Sequence, residues 1–284
     1  MQEVIKSLKD FKLAGIVLSL EERLSYAKLN KLNHKEFIEL LCEDERNNRR
    51  DNSYKKRYAR AKLPSKKRID EFDFNYQPSI DRDQLQDIAS CNFIKDHENV
   101  VLIGDSGTGK THLSVSIALK ALEKEYKVYF TTVSDMLYNL HISKADNSYH
   151  KKLAQLISYD LLILDELGFK KLPKYSSDDF FNVISKRYEN KSTIITTNKE
   201  LDEWDDVFEE EMLTKAIIDR IMHHVTIFNI KGKSYRTRKI SSQYGSKNGT
   251  NYKEPMLQNC LENNDPHNPE NESLKNPKNE EIMT

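Results

Sequence analysis

Cysteine is scarce in this chain: Cys42, Cys91 and Cys260 are the only three in 284 residues. They are odd in number, far apart and outside any CxxC or Cys/His spacing, which excludes a disulfide scaffold and a cysteine-based metal knuckle. Such usage fits a reducing compartment. Long apolar runs are missing too. A membrane-spanning helix needs about 20 consecutive apolar residues, and runs such as Leu161–Leu164 fall far short. The apolar stretch Leu13–Leu20 passes straight into Glu21, Glu22 and Arg23 with no small-residue cleavage site, so it reads as cytoplasmic helix and loop rather than as a signal peptide. A cytoplasmic chain with no membrane partner is the expectation. Net charge is absent as well, since 45 Lys+Arg balance 45 Asp+Glu; taken alone, that advertises no polyanionic partner. With 37% hydrophobic and 32% charged residues and a mean hydropathy of −0.75, part of the chain should lie outside any core.

What is there divides by composition. Residues 1–45 read as a small helical domain: Ser19 precedes Glu22 by three, Asn33 precedes Glu36 by three, and each candidate capping box leads into apolar residues at helical spacing. Residues 46–72 form a basic segment. Between Arg46 and Arg68 eleven cations face one acid, Asp51, giving +10, with Tyr54 and Tyr58 four apart among them. Cations that neutralise phosphates release condensed counterions, which makes Arg49, Arg50, Lys55, Lys56, Arg57 and Arg60 candidate DNA contacts. Residues 73–240 alternate helical stretches with short apolar strands at Val100–Gly104, Val128–Val133, Leu161–Asp165, Thr193–Thr197 and Val225–Ile230. That rhythm predicts an α/β fold with a parallel, three-layer sheet. Residues 241–284 are rich in Asn, Pro and Glu and read as a disordered tail.

Gly104-Asp105-Ser106-Gly107-Thr108-Gly109-Lys110-Thr111 is a complete GxxxxGK[ST] run between a strand and an amphipathic helix. This is a phosphate-binding loop, extended here to His112. Its glycines let successive backbone amides turn toward a phosphate, and the helix N-terminus adds partial positive charge. Lys110 is assigned to the β/γ-phosphates of ATP and Thr111 to Mg²⁺. The run Leu161–Glu166 ends a buried strand in two carboxylates whose side chains point to opposite sides. Asp165 is placed to hold Mg²⁺ and Glu166 to polarise the attacking water. Asn198 closes the next strand; if that strand lies between the other two, Asn198 faces the γ-phosphate as a sensor. Arg220 is a candidate finger for a neighbouring subunit's site. His223 and His224 are read as packing or solvent-facing rather than zinc ligands, because neighbours on a helix diverge. Trp204 is expected to pack. A second cationic stretch runs Lys231, Lys233, Arg236, Arg238, Lys239, and no separate helical lid is legible after Ile230.

GDSGTGKTHL at Gly104–Leu113, FTT at Phe130–Thr132, LLILDELGF at Leu161–Phe169, STIITTNK at Ser192–Lys199, AIIDRIMHH at Ala216–His224 and GKSYR at Gly232–Arg236 occur in order. Together they resemble the IstB-like ATP-binding proteins, AAA+ helper ATPases of bacterial insertion sequences that are similar to the DnaC helicase loaders. The resemblance covers Leu8–Lys239. It implies an AAA+ P-loop NTPase behind a small N-terminal helical domain, an ATPase that oligomerises on DNA, remodels it and serves a cognate transposase. It also implies Lys110 and Thr111 as Walker A, Asp165 and Glu166 as Walker B, Asn198 as sensor and Arg220 as finger. Asp105, Ser106 and Phe169 depart from the residues many relatives carry there. The ATPase motifs leave a DnaC-like helicase loader open as the alternative.

Overall fold

The computed structural model describes residues 1–169, 172, 176–208 and 210–237. Its elements are α1 (Gln2–Asp10), α2 (Ala14–Asn30), α3 (His34–Ala61), α4 (Arg82–Ala89), α5 (Asn92–Lys95), β1 (Asn99–Gly104), α6 (Lys110–Glu123), β2 (Val128–Thr132), α7 (Val133–Ala145) and α8 (Tyr149–Ser158). Then follow β3 (Leu161–Leu167), α9 (Ser176–Arg187), β4 (Ser192–Thr197), α10 (Asp205–Phe208), α11 (Glu211–Met222) and β5 (Val225–Ile230). The chain divides after Gly232, and the second unit, Lys233–Thr284, is described only to Thr237. The tail expected at 241–284 therefore lies outside the described residues, as do Arg238 and Lys239.

The five strands form one sheet in the order β2-β3-β4-β1-β5, every pairing parallel. Alternation along each strand feeds two separate cores. Val100, Leu102, Leu161 and Ile163 face one side, where α4, α5, α6 and the end of α3 cover them. Val101, Ile103, Leu162 and Leu164 face the other, under residues of α7 to α11, with Trp204 fully buried among them. This is the three-layer arrangement that buried parallel strands require. β4 does lie between β3 and β1, the condition on which Asn198 reaches the phosphate side.

The N-terminal helices hold together through an ionic seam. Gly15 of α2 stands so close to α3 that a Cβ would lie 2.7 Å from the Asp44 carbonyl oxygen and the Glu45 Cα. That approach lets the Gly15 amide donate to Glu45 Oε2 at 2.7 Å, while Arg23 grips Asp44 with two hydrogen bonds of 2.8 and 2.7 Å. Ser19 does not cap a helix. It lies inside α2, with its hydroxyl on the Gly15 carbonyl, because nothing between Ala14 and Glu22 breaks the helix. The Asn33–Glu36 capping box is present at the start of α3. That helix runs unbroken for 28 residues, about 42 Å, across residues 45 and 46 where composition marked a division. With neither Pro nor Gly between His34 and Pro64, the change there is one of charge along a single helix. Tyr54, Tyr58 and the buried Ala61 near its end pack on the first core.

Candidate functional site

The phosphate loop joins the end of β1 to the first turn of α6, as its sequence demanded. Gly104, Gly107 and Gly109 all take positive φ, and a Cβ on Gly109 would stand 2.6 Å from the ring of Phe72. A side chain there would need both a disfavoured backbone angle and a displaced aromatic ring. Lys110 Nζ donates to the carbonyls of Gly104 and, at 2.8 Å, Asp105, so its ammonium curls over the loop. Thr108 Oγ1 ties back to the Asp105 carbonyl at 2.9 Å. His112 is turned away from the loop mouth: its ring meets Phe72 edge-on, and its Nε2 lies 2.8 Å from the Arg68 carbonyl. Burial lowers its pKa.

Thr111 and Asp165 meet. The Thr111 hydroxyl lies 3.2 and 3.1 Å from the two carboxylate oxygens of Asp165, which is 5% exposed. This donor set, a hydroxyl and a carboxylate at the mouth of a phosphate loop, fits Mg²⁺, a hard cation that takes few protein oxygens and keeps waters. Glu166 points the other way and is exposed. The strand alternation predicted that division, but two further features produce it: a shift in the β3–β4 register between Leu164 and Leu167, and a φ of 65° at Glu166. A non-glycine residue in that region is strained and persists only where its surroundings hold it.

Thr196 holds it. This buried residue of β4 donates its hydroxyl to Asp165 Oδ1 and accepts the Glu166 amide at 3.0 Å. Sequence reasoning passed over Thr196; the signal was a threonine two residues before the candidate sensor on the adjacent strand. Asn198 is exposed directly after β4, on the sheet edge shared by the phosphate loop and the carboxylate pair.

Arg220 is elsewhere. It lies in the last turn of α11, with its guanidinium 4.8 Å over the Phe181 ring and one hydrogen bond to the Ala216 carbonyl. Asn99 pairs with Val225 and Gly104 with Ile230, so the end of α11 lies by the sheet edge opposite the phosphate loop. The six-residue strand between them spans about 17 Å. Arg220 therefore lies at the end of the sheet away from the phosphate loop of the same chain.

The six candidate DNA contacts separate on α3. Arg49 Nε is 2.6 Å from Glu45, and Arg57 bonds Ser53 and the Leu122 carbonyl. Arg57 is thus held in packing, with Glu125 3.8 Å away. Arg50, Lys55, Lys56 and Arg60 are exposed. Lys56 and Arg60, one turn apart, line a groove of about 990 Å³ between α3, the edge strand β2 and α8. Lys62, Lys127 and Lys152 also line it, and Glu125 is the only acid among the described residues that do. Tyr129 and Tyr159 stack in its wall, ring centroids 4.9 Å apart. Lys127 and Lys152 were not legible as contacts, because they are distant in sequence from the basic run.

Among the described residues no helix is long and apolar enough to cross a membrane. The chain is 37% identical over 237 residues to an insertion sequence IS232 protein described as ATP-binding, from Bacillus thuringiensis subsp. berliner, covering 84% of this chain and 95% of that one. It is 35% identical to the corresponding IS21 protein of Pseudomonas aeruginosa, covering 84% and 90%. The solved structure of DnaI superposes with a TM-score of 0.51 at 23% identity, over 58% of this chain and 91% of that one, a likeness of fold. A family model described as IstB-like ATP binding protein matches residues 6–243. A phosphate loop facing a strand-borne carboxylate pair in a five-stranded parallel sheet, matched along most of its length by that family, makes this chain a member of the IstB-like ATP-binding proteins, with an AAA+ fold.

Proposed function

We propose that the protein hydrolyses ATP, assembles on DNA as a homo-oligomer and uses the nucleotide cycle to present that DNA to a transposase. The observation that carries the hydrolytic reading is the convergence of Thr111 and Asp165 beside a displayed Glu166. The loop amides and Lys110 bind and orient the phosphates. Thr111 and Asp165 would hold Mg²⁺, which would neutralise charge on the bound phosphates. Glu166 orients and polarises a water, and Asn198 reads the γ-phosphate end. Arg220, held away from its own loop, serves a neighbour's site, which couples hydrolysis to assembly. The groove lined by Lys56, Arg60, Lys127 and Lys152 offers the DNA backbone a concave cationic seat.

Relatives from two insertion sequences, at 37% and 35% identity over most of both chains, favour the transposition role over helicase loading. The test is ATP hydrolysis by the purified chain with and without DNA. Stimulation by DNA and its loss in Glu166→Gln, with ATP binding retained, support the reading. A wild type as inert as Glu166→Gln sinks it.

A further inference from the structure

Neighbours within a helix diverge, but His223 is the C-cap of α11, its amide still bonded to the Asp219 carbonyl, and His224 lies one residue beyond the helix, with the two ring centroids 4.1 Å apart. Glu189, from the turn between α9 and β4, joins them, its Oε1 3.7 Å from His223 Nδ1. One ligand atom from each of the three side chains lies within 4.8 Å of the others, and all three residues are exposed.

Both segments that carry these groups are fixed from behind. Arg187, buried at the end of α9, donates to the carbonyls of Leu156, Tyr159 and Ser192 and to Thr193 Oγ1. Its own carbonyl accepts the amides of Asn190 and Lys191 at 3.0 and 2.9 Å, which closes the turn and leaves Glu189 at a φ of 55°. On the other side, the Asn99 amide donates to the His224 carbonyl at 2.8 Å and the Asn99 side chain to Ile221. Tyr188 supplies an outer partner, its hydroxyl 3.0 Å from His223 Nδ1. Ligands on braced backbone with a hydrogen-bonding outer shell are what separates a site from a chance cluster.

We propose that Glu189, His223 and His224 form a binding site for a divalent transition-metal ion of the zinc class. Two imidazoles and one carboxylate suit Zn²⁺, Co²⁺ or Ni²⁺ and not Mg²⁺ or Ca²⁺, which prefer all-oxygen shells. The ligand atoms already stand within 4.8 Å of one another on exposed side chains, which are free to rotate toward a shared ion. The ion would join the α9–β4 turn to the α11–β5 junction. It would thereby fix α11 against α9, the packing on which Arg220 rests over Phe181. The site lies on the sheet edge opposite the phosphate loop, so its occupancy is measurable whether or not ATP is hydrolysed.

The test is Zn²⁺ titration of the full-length, metal-stripped protein against a chromophoric chelator, with thermal melting in parallel. One Zn²⁺ per chain is expected at low-micromolar metal, with a melting midpoint that rises on addition and returns with EDTA. His224→Gln and Glu189→Gln should each weaken binding by more than about tenfold, since loss of an outer partner alone costs about 10–100-fold. Cys260→Ala with His267→Ala, ligand types outside the described residues, should change nothing. All three side chains are exposed, and the metal-free melting point of each variant reports its folding directly. Saturable binding that survives His223→Ala with His224→Ala, or wild-type uptake without one-to-one stoichiometry, overturns the proposal.

Discussion

Thr196→Val tests the geometry of the carboxylate pair at the residue that holds it. One hydroxyl serves two acids there, donating to the buried Asp165 and accepting the Glu166 amide at 3.0 Å. Valine keeps the shape and removes both bonds. A charge-assisted hydrogen bond to a buried carboxylate is worth about 1.5–3 kcal/mol, and a stranded amide costs about 1–3 kcal/mol. Asp165 retains the Thr111 hydroxyl and Glu166 is open to water, so the net loss should be about 2–4 kcal/mol. In a domain of this size that lowers the melting midpoint by about 5–15 °C. The larger effect should be catalytic. Glu166 sits at a positive φ that nothing intrinsic favours, and loss of its amide's bond to Thr196 should shift it from the position at which the proposed hydrolysis has it polarise water. ATP binding, measured by a fluorescent analogue at a temperature where the variant is folded, should stay near wild type while hydrolysis falls. Thr196→Ser, which keeps the hydroxyl, should recover most of both. A Thr196→Val protein that melts within about 2 °C of wild type and hydrolyses normally would refute the anchoring argument.

Arg220→Ala should abolish hydrolysis and spare ATP binding, and mixing it with Glu166→Gln should restore partial activity through mixed interfaces; no recovery on mixing would place the arginine's role within its own subunit. Gly109→Ala should lose nucleotide affinity, because its Cβ would meet Phe72 at 2.6 Å on a backbone at φ 106°; unchanged affinity by equilibrium dialysis would contradict the close approach. Lys127→Glu with Lys152→Glu should weaken DNA binding and flatten its dependence on salt, with a slope change of about 0.7–0.9 per lost phosphate contact, whereas an unchanged slope would return the groove to solvent. Acid should loosen α2 from α3. Asp44 is held below the usual carboxylate range by its hydrogen bonds to Arg23. For Glu45 burial pushes upward, but Arg49 and the Gly15 and Ile16 amides outweigh it. Both native pKa values are depressed, so the stabilisation is present at neutral pH and is lost as pH falls below about 4. Hydrogen-exchange protection of the Gly15 and Ile16 amides, taken relative to the intrinsic rate at each pH, should fall there, and pH-independent protection would refute the linkage.

Local chemistry carried much of this protein's reading. The phosphate loop was legible because its chemistry is contiguous: a strand, glycines at fixed offsets, then a lysine and threonine opening a helix. β5 was expected and found at Val225–Ile230, and the other strands within two residues of their predicted ends, because apolar runs bounded by polar residues mark buried parallel strands. The Asn33–Glu36 cap is equally local. Ser19 misled because a capping pattern carries no information on whether the helix has already begun upstream.

Contacts between distant segments decided the rest. Thr196 became visible as an anchor only when β4 was laid beside β3, and Arg57 became a packing residue only when α3 met the end of α6. The cationic groove gathers Lys56 and Arg60 from α3, Lys127 from the turn before β2 and Lys152 from α8, and no short window of the sequence holds them all. His223 and His224 changed meaning when α11 closed on His223 as its cap, leaving His224 beyond it, and the α9–β4 turn delivered Glu189. Sequence alone determined the loop chemistry, the strands and the charge division, since each is written in neighbours along the chain. Tertiary structure decided which charges are committed to packing and which remain for a ligand, since a side chain's partners come from wherever the fold brings the backbone.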